Sequence, residues 1–176
     1  MMSARTHAHA RDLSVVCEAE PAGVGELRLP GDVVSWTPTT YRERSASLIA
    51  GSDPAQAMAY ARDLDPLPAG RLLLLVGDVY LLRGDHDQAV TAYQEARARA
   101  RFYLGSRRIE AAALYGEALA AYGVGDFWRC LDLVDDALRI DNRSEARTLG
   151  ERAVGAIVTE CCSNVQAAPV KPDLTK

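Results

Sequence analysis

Lysine is almost missing from this chain: its 176 residues hold only Lys171 and Lys176, both near the C-terminus. Gly23 and Gly25 therefore do not lead into a phosphate-cradling loop, which needs a Lys and a Ser or Thr after its glycines. Histidine is scarce as well. His7 and His9 lie in a stretch rich in helix breakers and His86 stands beside a helix start, so none is placed as a base for a Ser or Cys nucleophile. His7, His9 and Cys17 fall short of a closed set of four ligands, and no metal or cofactor is assigned. The four cysteines, Cys17, Cys130, Cys161 and Cys162, form no regular framework, and the adjacent pair lacks CxxC spacing.

Long apolar runs are also absent. The strongest, Leu72 to Val76, is bounded by Arg71 and by Gly77-Asp78, far short of the roughly 18 residues that cross a membrane. The first ten residues lack the apolar stretch of a secretory signal, so a cytoplasmic, protein-facing role is expected. A formal net charge of −4 gives no general attraction to nucleic acid or anionic lipid. One local exception is the run Arg97, Arg99, Arg101, Arg107 and Arg108, near Tyr93, Phe102 and Tyr103. Aromatic residues beside arginines can stack on bases. The stronger reading is that arginines near a helix C-terminus complement its dipole and keep a long helix soluble. Nucleic acid is therefore disfavoured as a partner. Asp132, Asp135 and Asp136 are expected to be solvated surface rather than an acid/base pair.

What is present is helix. Residues 1–40 carry Pro21, Gly23, Gly25, Pro30, Gly31 and Pro38 and show no sustained period, so they are expected as an irregular arm. Leu13 to Cys17 and Asp32 to Trp36 suit short extended pieces packed on the body. Residues 164–176, with Pro169 and Pro172, are expected as a flexible tail. Between them, Ala, Leu, Arg and Glu dominate and apolar residues recur at three and four.

Three junctions divide that body: Gly51-Ser52-Asp53-Pro54, Gly84-Asp85-His86-Asp87 and Gly125-Asp126-Phe127. In each, glycine closes one helix and Asp accepts N–H groups at the start of the next. Pro54 fits the first helical position, and Gln56 and Gln88 stand three residues beyond Asp53 and Asp85, as in a capping box. The expected helices are Tyr41–Ala50 with Pro54–Leu64, Arg71–Arg83 with His86–Tyr103, Arg108–Tyr122 with Phe127–Ile140, and a seventh over Glu145–Ser163. Short linkers make consecutive helices antiparallel, and a single hairpin cannot bury its apolar stripe, so hairpins must stack.

The middle hairpin reads Leu73-x-x-Val76-Gly77-x-x-Tyr80, then Gly84-Asp85-x-Asp87-x-Ala89-x-x-x-Tyr93-x-x-Ala96. It resembles a tetratricopeptide repeat, with Gly77 and Ala89 as the points where its two helices touch. Arg101 stands where that family usually closes with Pro. Tyr115-Gly116-x-x-Leu119 with Cys130, Val134 and Ala137 repeats the theme less faithfully, Gly123-Val124 interrupting the usual spacing. Asp85 to Asp126 spans 126 − 85 = 41 residues against about 34 for the standard repeat, as in long-period variants of bacterial type. Leu149-Gly150 with Ala153 suggests a last, lone first-type helix. The resemblance covers roughly residues 41–163. It implies an all-α, right-handed stack of about three antiparallel hairpins plus a capping helix, an α-solenoid.

The resemblance also implies a concave groove lined by first helices, which binds a peptide or helix. Its contacts would be Arg42 and Ile49; Leu74, Asp78 and Leu81; Ala113, Glu117 and Ala120; and Arg147 and Glu151. The reading favours an adaptor with another protein or peptide as partner, no catalytic role and no cofactor. The alternatives are a self-associating structural protein, with a homodimer covering apolar end faces, and an accessory or regulatory subunit whose arm closes the groove. Leu74 and Leu81 are equally well explained as core under a neighbouring helix or a folded-back arm.

Overall fold

The computed structural model describes residues 28–33, 49–103 and 105–166, with side chains as far as Ser163. Among them every regular element is helical: α1 (Pro30–Val33), α2 (Pro54–Ala61), α3 (Pro66–Leu82), α4 (His86–Ala100), α5 (Arg107–Gly123), α6 (Phe127–Ile140) and α7 (Ser144–Gln166). Residues 49–52 are helical too, the described end of the expected first helix. From α2 onward each helix packs on the next in chain order, which makes the molecule a stack of helical hairpins, a solenoid. The first helices form their own layer, α3 touching α5 and α5 touching α7.

The junction chemistry is largely as the sequence indicates. Gly84 and Gly125 adopt φ of 81° and 80°, the left-handed turn that lets the next helix fold back. Asp53 Oδ1 accepts the Gln56 amide at 3.0 Å and Asp126 Oδ1 accepts the Arg129 amide at 3.1 Å, satisfying one orphan donor at each helix start. Asp85 differs: it stands at the N-cap without a side-chain bond. Gly51 differs as well, since it lies within the helical residues 49–52.

Several boundaries move. α3 begins at Pro66, five residues before the expected Arg71, because a proline at the first helical position gives up only an N–H that has no helical partner there. α2 ends at Ala61 rather than Leu64, and α4 ends at Ala100 rather than Tyr103. The chain then turns through Gly105, whose φ of 89° the expected boundaries did not anticipate. α7 continues to Gln166, past the expected end at Ser163. Asp32 and Val33, expected as extended, close the single turn of α1, which packs on α3 and α5. Leu13 to Cys17 and Tyr41 to Ser45 lie outside the described residues.

The core is built on a tight central contact. Tyr93 of α4 is fully buried, and its ring fills the space in front of two glycines, Gly77 on α3 and Gly116 on α5. A Cβ on Gly116 would come within 2.6 Å of that ring, so the absence of a side chain sets how closely α3 and α5 straddle α4. Leu73, Val76, Ala89 and Ala96, the other motif positions of this hairpin, are fully buried. One hairpin on, Cys130 is buried too, which pushes its thiol up to about 12 and marks it as packing rather than a reactive group.

Candidate binding surface

The inner layer of first helices is not bare. Residues 28–33 run across it, reaching α3, α5 and α7 in turn. On α3, Asp78 Oδ2 accepts the Gly31 amide at 2.8 Å, and Gly31 is so close to the carboxylate and to Leu75 that a side chain there has no room. On α5, the Tyr115 hydroxyl donates to the Arg28 carbonyl at 2.8 Å. On α7, the Arg28 guanidinium stands 3.4 Å from Glu145 Oε1. Pro30 is fully buried and Leu29 packs on the core, so the segment carries apolar anchors between its polar contacts.

Asp78 is the hub of this surface. Its residue is 6% exposed, and behind it the Tyr93 hydroxyl donates to Oδ1 at 2.8 Å. A buried carboxylate survives only with such donors. The same arrangement holds the Tyr93 phenol well above its ordinary value, first through burial and then through the neighbouring Asp78 charge and hydrogen bond. Burial also raises the Tyr115 phenol, with the Glu145 carboxylate adding to the effect. Both hydroxyls therefore act as donors. Glu145 is held below the usual carboxylate range, first by a backbone N–H at the start of α7 and then, against the cost of burial, by the Ser144 hydroxyl, Arg28 and Arg143.

The residues expected to line the groove divide into three groups. Leu74, Asp78 and Leu81 are on α3 and buried, the two leucines in the apolar core and Asp78 under the Gly31 amide. Ile49 is half-buried against that core, and Arg42 lies outside the described residues. Glu117, with Ala113 and Ala120, is buried on α5, but it points away from residues 28–33. Its carboxylate receives Gln94 Nε2 at 3.3 Å and the Arg97 guanidinium at 3.7 Å, both from α4, and Arg129 of α6 acts on it electrostatically.

The reason is a shift of register in the second hairpin. Gly116 was matched to Gly77 from the sequence, yet Gly77 faces the second helix of its own hairpin whereas Gly116 faces back onto Tyr93 of the preceding one. Arg147 and Glu151 form the third group. They are exposed on α7 and border an open groove of about 600 Å³ between α6 and α7, away from residues 28–33.

Arg28, Gly31, Tyr115 and Glu145 were not singled out from sequence. Tyr115 carried the one available signal, since a buried tyrosine needs a partner for its hydroxyl. The arginine run is largely absorbed by the fold: Arg97 faces Glu117, Arg99 pairs with Glu95 at 3.6 Å, and Tyr93 is core. Phe102 alone stays wide open, with the Arg101 guanidinium 6.0 Å from its ring centre. No helix among the described residues is long and apolar enough to cross a membrane.

A family model described as tetratricopeptide repeat matches residues 69–143, the span from α3 to the end of α6. No curated protein and no solved structure matches the chain.

Proposed function

Residues 69–143 belong to the tetratricopeptide repeat family, whose members are in general protein-interaction modules, and from that premise we propose that this chain is a non-enzymatic adaptor. Its inner face recognises a short apolar segment of another protein, with Asp78 and the Tyr115 hydroxyl as the polar anchors. The observation that carries this reading is the path of residues 28–33. They satisfy Asp78, Tyr115 and Glu145 together while burying Pro30. A surface able to hold a backbone N–H, a backbone carbonyl and a proline at once has the chemistry for peptide capture.

The same observation favours a regulatory variant of this reading, in which the arm is the resident occupant and a partner must displace it. Competition of this kind lowers the partner's apparent affinity by the fraction of chains in which the face is free. The cytoplasm is the compartment that suits a chain of this composition, and no cofactor is needed for such a role.

A labelled synthetic peptide spanning residues 26–36, added to a chain lacking residues 1–36, tests the proposal by fluorescence anisotropy. The peptide is expected to bind the shortened chain, to bind the full chain far more weakly, and to lose affinity on Asp78→Ala. Equal binding to both chains, or indifference to Asp78→Ala, overturns it.

A further inference from the structure

The open groove between α6 and α7 repeats, at the end of the stack, a site that is filled one hairpin earlier. Gly150 of α7 lies against Val134 of α6 as Gly116 of α5 lies against Tyr93 of α4. The two glycines are 34 residues apart, and so are Glu117 and Glu151, and Ala120 and Val154. α7 therefore sits on α6 as α5 sits on α4. In α5 the face bearing Glu117 and Ala120 is covered and both residues are buried, with α6 packed on that helix. In α7 the corresponding face is open, Glu151 is exposed and Val154 is 49% exposed.

The filled site shows what the open one asks for. Glu117 is compensated by Arg97 from α4 and by Arg129, which the covering helix α6 brings with it. At the open site, Asp135 and Leu138 stand where Gln94 and Arg97 stand on α4, 41 residues on. Carboxylates thus replace part of the compensation, since Asp132, Asp135 and Glu151 border the groove against one guanidinium, Arg147. Between them lies an apolar floor that includes Leu131, Leu138 and Val154. Trp128, 70% exposed, continues that stripe one turn toward the N-terminus of α6. An open aromatic beside an apolar floor and an acidic rim is an anchor for a partner rather than a solvated surface.

We infer that the α6–α7 groove is a second docking site, separate from the inner face, and that its occupant is an amphipathic helix from another protein with Lys or Arg along the edge of its apolar stripe. The helix lies where the second helix of a further hairpin would lie, and its cations meet Glu151 and Asp135 as Arg129 meets Glu117. A second copy of this chain is a poorer fit, because a two-fold contact through this groove sets one acidic rim against the other.

The test uses the full chain and a fluorescent peptide of residues 126–141 in which Asp132→Lys, Asp135→Lys and Asp136→Lys make the outer side of α6 basic. Binding is expected by anisotropy, falling about tenfold or more on Val154→Asp and on Glu151→Lys, substitutions at exposed positions whose helicity is checked by circular dichroism. The unaltered acidic peptide is expected to bind at least about tenfold more weakly. Equal binding of the two peptides, or affinity untouched by both variants, overturns the inference. So does light scattering that finds a dimer which Val154→Asp converts to monomer, since the occupant is then a second copy.

Discussion

The Tyr93 hydroxyl and the Asp78 carboxylate are 2.8 Å apart, and the other oxygen of the same carboxylate takes the Gly31 amide. One side chain of the inner layer thus ties the buried ring that spaces α3, α4 and α5 to the segment that crosses them. Tyr93→Phe keeps the ring between Gly77 and Gly116 and removes one donor to a buried carboxylate. It is expected to destabilise the fold by about 1–3 kcal/mol, read as a lower denaturation midpoint with unchanged slope. An unchanged midpoint would mean that the hydroxyl contributes nothing to holding Asp78.

Two glycines on exposed and buried faces separate helix propensity from packing. In Gly155→Ala the new methyl meets nothing within 4 Å, so α7 is expected to gain about 0.5–1 kcal/mol from propensity alone. In Gly116→Ala the same methyl meets the Tyr93 ring at 2.6 Å, and overpacking is expected to cost about 1–3 kcal/mol net. Thermal melts of the two variants should move in opposite directions. Two upward shifts would refute the close contact.

Glu117 carries a pH signature. Burial raises its carboxyl above 4.5, with Arg97, Gln94 and Arg129 opposing the rise. The folded chain therefore holds a proton that the unfolded chain has released over the interval just above pH 4.5. Stability from this group is greatest below that interval and falls as pH rises through it. Glu117→Gln abolishes the effect, so the variant is expected to gain on the parent as pH rises from 4.5 toward neutrality. A stability gap that stays flat or shrinks over that range would assign the dominant influence to Arg97 instead.

The legible part of this molecule was its local punctuation. Gly84 and Gly125 closed helices as expected because only a residue without Cβ takes their φ cheaply, and Asp53 and Asp126 capped the next ones because a short carboxylate reaches the third amide. The register of the second hairpin was not legible in the same way. Tyr115-Gly116 copies the motif pair Val76-Gly77, but a helix shows a glycine's spacing and not which neighbour it faces. The extra residues at Gly123-Val124 rotated the face, carrying Glu117 behind the inner layer and leaving Tyr115 in front. Arg147 and Glu151 inherited the same rotation, which is why they border the end groove.

Composition and spacing alone settled that this chain is helical, where most of its helices begin and end, and that its hairpins must stack, since those properties follow from backbone conformations and apolar stripes within a few residues of each other. Where residues 28–33 travel, which acid faces them, and which end of the stack stays open were decided only in three dimensions. Those contacts join positions as distant as Arg28 and Glu145, and their strength depends on burial that no local pattern records.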